Sequence, residues 1–99
     1  MASVLTFRKG AYRPGSSQGL TSSGVSQQSS ALSSDASIIR VAVNQDTYVA
    51  VGSNPTATAN SLMMPAGAIE FFAVNAADKV AVLEVSAAGR VSITELSAV

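Results

Sequence analysis

The 99-residue chain contains no cysteine and no histidine. Those two absences exclude disulfide staples, thiolate nucleophiles, imidazole general bases and the usual zinc ligand sets. Long apolar runs are missing as well. The most apolar region, residues 66–85, is broken by Glu70, Asp78, Lys79 and Glu84 at a density that a lipid-facing helix would not tolerate. At the start, MASVLTFRKG places Arg8-Lys9 after a short apolar segment, the reverse of a secretory leader. The expectation is a soluble chain made in the cytosol, with no membrane contact. The lack of cysteine fits a reducing compartment.

What the chain does have is two kinds of sequence. Residues 14–34 (PGSSQGLTSSGVSQQSSALSS) are mostly Ser, Gly, Gln and Thr, with too few core-forming side chains to offset the entropy of ordering. From about residue 35 onward the sequence is β-patterned. This change divides the chain into an extended Ser/Gly/Gln-rich arm over 1–35 and a β-sandwich domain over 36–99. A body of that size buries only about 60% of its unfolded surface, so further support from association is expected. Charge divides close by, after residue 34. Arg8, Lys9 and Arg13 leave residues 1–34 at plus three, while Arg40, Lys79 and Arg90 against Asp35, Asp46, Glu70, Asp78, Glu84 and Glu95 leave residues 35–99 at minus three. A basic arm that settles on an acidic protein surface fits this asymmetry; nucleic acid would meet repulsion from the body.

The body reads as all-β. Short β-branched runs occupy Ser37 to Val43, Thr47 to Val51, Ile69 to Val74, Lys79 to Val85 and Arg90 to Leu96, at the close spacing of a sandwich or barrel. Asn44-Gln45-Asp46 reads as a hairpin turn, and Ser86-Ala87-Ala88-Gly89 as a second one in which Gly89 takes a positive φ. Residues 53–66 are too long for a tight turn. There Pro55 disfavours a central strand, Thr56-Ala57-Thr58 could add an edge strand, and Leu62-Met63-Met64 would anchor the connection on the core. A long crossing of this kind suits a Greek-key or jelly-roll-like path. Apolar residues occur at both parities of the strands, as in Ile38/Ala42 against Ile39/Val41/Val43. The second apolar face is therefore expected to be covered by another chain.

No catalytic, cofactor-binding or metal-binding set emerges. The acidic residues Asp46, Glu70, Asp78, Glu84 and Glu95 could supply a calcium site or a carboxylate pair, but the simpler reading makes Asp46 and Asp78 turn residues and the glutamates solubilising groups. A Ser/Lys nucleophile would have only Lys9 and Lys79 as bases. Gly15-Ser16-Ser17-Gln18-Gly19 lacks the Lys-Ser/Thr that completes a phosphate-binding loop. Phe71 and Phe72 are adjacent on one strand and must face opposite ways, one to the core and one to an interface.

One resemblance supplies a function. The run IIRVAVNQDTYVAVGSNPTATANSLMMPAGAIEFFAV, continued by DKVAVLEVSAAGRVSITEL, resembles small virion proteins of tailed bacteriophages, with their arginine-bearing first strand, D-x-Y-V-A-x-G-x-N-P-T-A-T segment, P-A-G turn and D-K-V-A-V strand. It covers most of residues 37–96 and carries over no site residues. It implies a structural, non-enzymatic protein that binds and stabilises a bacteriophage particle in the virion, assembled in the host cytoplasm. The first expectation is a capsid cement or decoration protein. A head-to-tail or tail adaptor, a fibre-base protein, and a carbohydrate- or receptor-binding β module are the alternatives. Expected partners are the major capsid protein or other virion proteins and further copies of the chain. The expected fold is an all-β small sandwich or jelly-roll-like barrel preceded by the arm. Interface candidates are Phe7, Arg8, Lys9, Tyr12 and Arg13 on the arm, and Ile38, Arg40 and Phe72 on the body.

Overall fold

A computed structural model describes residues 12–98. Eight strands follow in order: β1 (Tyr12–Thr21), β2 (Gln27–Gln28), β3 (Ile38–Val43), β4 (Thr47–Gly52), β5 (Leu62–Met64), β6 (Ile69–Ala73), β7 (Lys79–Glu84) and β8 (Arg90–Ala98). They pair antiparallel into two four-stranded sheets, ordered β1-β8-β3-β6 and β2-β7-β4-β5. Only the β4–β5 connection stays within one sheet; every other connection passes to the opposite sheet. This strand order is that of the eight-stranded jelly roll. The all-β sandwich expected from strand spacing is what the chain forms.

Alternation builds the core. Along β3 the inward Ile39, Val41 and Val43 are buried while Ile38, Arg40 and Ala42 are half-exposed. Ile93 and Val91 of β8 face Val41 and Val43 in register, and Val49, Val80, Val82 and Met64 line the opposing sheet. Full burial of each such aliphatic side chain contributes about 1.5–3 kcal/mol. Of Leu62-Met63-Met64, expected to anchor the long connection, only Met64 reaches the core; Leu62 and Met63 are exposed, and Thr56–Thr58 is loop rather than an edge strand.

The expected boundary at residue 35 is not a structural one. Residues 12–34 supply β1 to one sheet and β2 to the other, and Leu32 lies in the core at 4% exposure. Residues 1–11 of the expected arm lie outside the described residues. The reason a Ser-rich stretch can do this is that an edge strand is held mostly by backbone hydrogen bonds, and its hydroxyls can replace missing ladder partners. Ser22 is fully buried, with its Oγ accepting from the Gly89 N–H at 2.9 Å; Ser29 is buried with its Oγ accepting from the Val80 N–H at 2.9 Å.

The turn assignments change as well. β3 and β4 belong to different sheets, as do β7 and β8, so residues 44–46 and 85–89 are corners between sheets rather than hairpins. Among the described residues the positive-φ ones are Gly67 (φ 83°) and Ala77 (φ 62°), and Gly89 is not one of them. Glycine is required at 89 by close approach: a Cβ there would sit 2.6 Å from Gln45 Cβ and 2.7 Å from Asn44 Oδ1. The same Asn44 Oδ1 accepts from the Arg90 N–H at 2.7 Å, tying the two corners together.

Part of the second apolar face is covered by the chain itself. Ala50 and Ala81 pair with each other facing away from the core, yet Ala81 is fully buried. The 53–61 connection is fastened across this face. Gln28, in register with Ala81, donates from its amide to Asn54 Oδ1 and the Pro55 carbonyl, and Ser26 Oγ accepts from the Ala57 N–H.

Candidate functional site

The outward face of the β1-β8-β3-β6 sheet departs from an ordinary wet exterior. Register lays its side chains in rows: Gly19, Ser92, Ala42 and Ile69; Ser17, Thr94, Arg40 and Phe71; Pro14, Leu96, Ile38 and Ala73. Arg40 is the one charge in those rows. Ile69 and Phe71 are 47% and 46% exposed, too open to be core and too large to be incidental when adjacent. Tyr12, in register with Ala98, lies on the same face, and its ring centroid is 5.4 Å from that of Phe71 with the planes tilted by 36°. β1 and β6 are opposite edges of the sheet, so this contact joins the two edges across the outward face. Leu96 lies between Tyr12 and Phe71 in the register, and it is only 8% exposed although it points away from the core. The face is therefore a small second apolar cluster, half closed by its own aromatics.

Of the sequence-derived interface residues, Tyr12, Ile38 and Arg40 share this face. Arg13 is exposed on β1 but stands in register with Ser97, on the opposite side of the strand from Tyr12. Phe7, Arg8 and Lys9 lie outside the described residues. Phe72 is a correction: it stands opposite Ile39, faces inward and packs against the core, and Phe71 takes the outward place. Adjacency on one strand required one of the two to face out. Which one was decided by the pairing of β6 with β3, which strand sequence alone does not specify.

Two depressions adjoin the face. One, of about 420 Å³, has a floor of small residues including Gly19, Ala42 and Ser92, with Arg90 at its side and no aromatic ring in its lining. The Arg90 guanidinium lies over Gly19, 2.5 Å from where a Cβ would stand. The other, of about 330 Å³, includes Asp35 and Glu95, whose carboxylates bracket the Ser33 hydroxyl; the Ser33 N–H also donates to Glu95 at 3.0 Å. These bonds tie the 30s segment to β8.

Asp46 and Asp78 serve turns, as their positions suggested, and Glu70 and Glu84 stand on β6 and β7. Asp46 accepts from the Ala66 N–H at 2.8 Å, and Asp78 from the Asn75 N–H at 2.8 Å. Among the described residues no group of three or more acidic side chains is placed to hold a metal ion. No helix among them is long and apolar enough to cross a membrane. No family model matches the chain, and no curated protein or solved structure matches it.

Proposed function

We propose that this chain is a structural protein of a bacteriophage particle, a capsid cement or decoration protein that docks through the outward face of its β1-β8-β3-β6 sheet. The observation that carries the reading is that face: Ile69, Phe71, Tyr12 and Ile38 around a single Arg40. Apolar surface gathered in this way favours burial against a partner, and one arginine at its centre adds a directional ion pair to an acidic group on that partner. The resemblance of residues 37–96 to small virion proteins supplies the kind of partner. The jelly roll is compatible with it but hosts unrelated functions and adds little by itself.

Binding to purified particles stripped of this protein tests the proposal. Arg40→Glu and Ile38→Ser, which leave the core side chains in place, should each weaken binding by at least about tenfold, the size of effect expected when a central interface residue is lost. Particles made without the protein should release their contents at lower temperature. Wild-type binding by both variants, or absence of the chain from purified particles, would overturn the reading. Copy number separates the two virion roles: abundance comparable to the shell subunit indicates cement, and a small fixed ring indicates an adaptor.

A further inference from the structure

Each sheet has two edges, and three of the four are guarded. β1 carries Pro14 and a register shift between Pro14 and Ser17; β2 is two residues long; β5 is three residues long and is followed at once by Pro65. Proline, bulges and short length are the devices that keep an exposed strand edge from recruiting another chain. β6 has none of these three. It is a regular five-residue strand, Ile-Glu-Phe-Phe-Ala, whose one charge is Glu70, and among the described residues nothing pairs with its outer edge.

We infer that β6 is a self-association edge, pairing antiparallel with β6 of a second copy about a two-fold axis that passes beside Phe71. The direction of the free backbone groups fixes the register. Val43 N–H donates to the Ala68 carbonyl and Val74 N–H to the Ser37 carbonyl, so alternation points the groups of residues 68, 70, 72 and 74 toward β3. The N–H and C=O of Ile69, Phe71 and Ala73 then point to the open edge. A two-fold axis relating antiparallel neighbours stands normal to the sheet, which places like residue on like at the axis. With Phe71 there, Phe71 bonds to Phe71 of the second copy and Ile69 to Ala73, and every outward group of the three residues is satisfied. Shifting the axis to Glu70 sets two carboxylates against each other and leaves Ala73 without a partner, and shifting it to Phe72 leaves Ile69 without one. Self-complementarity of the backbone groups and of the apolar Ile69, Phe71 and Ala73 selects a second copy over a foreign strand. The result is one continuous sheet across both copies, with the exposed Phe71 and Ile69 of each meeting along the seam. The seam is small, so the dissociation constant should be on the order of micromolar.

Sedimentation of the full chain across concentrations, with amide hydrogen exchange on the same samples, tests this. The expected result is a monomer–dimer equilibrium in which the amides of Ile69, Phe71 and Ala73 slow with concentration by about tenfold or more. Ile69→Pro removes only an N–H that points outward at the first residue of an edge strand, and Phe71→Lys places two ammonium groups at the axis; both should remain monomeric and folded. Four outcomes would overturn the inference: a monomer whose three amides exchange freely; a monomer whose three amides are protected at every concentration, as when residues 1–11 of the same chain fill the edge; a dimer in which they stay unprotected; and undiminished dimerisation of Ile69→Pro and Phe71→Lys. None of these readouts involves particle binding, so failure here and failure of the docking proposal are separate results.

Discussion

Truncating Leu32 to alanine would show whether the Ser-rich stretch belongs to the folded body. Leu32 is 4% exposed and packs with the core around Ile39, Val80 and Val82, while its N–H donates to the Asp78 carbonyl at 2.8 Å. Leu32→Ala leaves that backbone bond and removes three carbon groups, worth about 0.8 kcal/mol each on transfer. Incomplete collapse of the space left behind raises the total to about 3 kcal/mol, inside the usual range for buried Leu→Ala. A domain of this size has roughly 5–15 kcal/mol of stability, so the loss is a large share of it. It should lower Tm by on the order of 12–24 °C. The control is Val25→Ala, in the same stretch but 70% exposed, which should change stability by no more than about 0.5 kcal/mol. Thermal and urea melts followed by circular dichroism give both numbers. If Leu32→Ala melts with the wild type, residues 12–34 do not form part of the cooperative unit, and the placement of β1 and β2 in the sheets is wrong.

Other substitutions probe single contacts. Ser29→Ala removes the acceptor of the buried Val80 N–H and should cost about 1–3 kcal/mol in chemical denaturation, with faster exchange at the Val80 amide. Gly89→Ala should cost about 1–3 kcal/mol because its Cβ meets Asn44 and Gln45, whereas Gly19→Ala should cost much less because the obstructing Arg90 guanidinium can swing away; equal losses at both sites would refute the close-approach account. Ala77→Gly should stabilise by about 0.5–1 kcal/mol, since relief of a left-handed alanine exceeds the added freedom of the unfolded chain; a lower Tm would show that Ala77 is not held at φ 62°. Reversing charge with Arg8→Glu and Lys9→Glu should weaken particle binding and flatten its salt dependence, and unchanged binding in low salt would remove the basic segment from the docking contact.

The strands were legible because period-two alternation of β-branched residues is a local property: Ile39, Val41 and Val43 announce a half-buried strand wherever it ends up. The absence of cysteine and histidine likewise limited the available chemistry before any fold was known. What the tertiary structure decided was partnership. Asn44-Gln45-Asp46 has the composition of a hairpin turn, but whether the next strand returns beside β3 or crosses to the other sheet depends on which face must be buried, a long-range matter. Ser22 and Ser29 were unreadable as structural residues because a serine becomes one only when a particular backbone N–H, of Gly89 or Val80, arrives beside it from far along the chain. Phe71 and Phe72 were indistinguishable for the same reason. Their alternation was determined by the sequence, and their direction by the neighbouring strand.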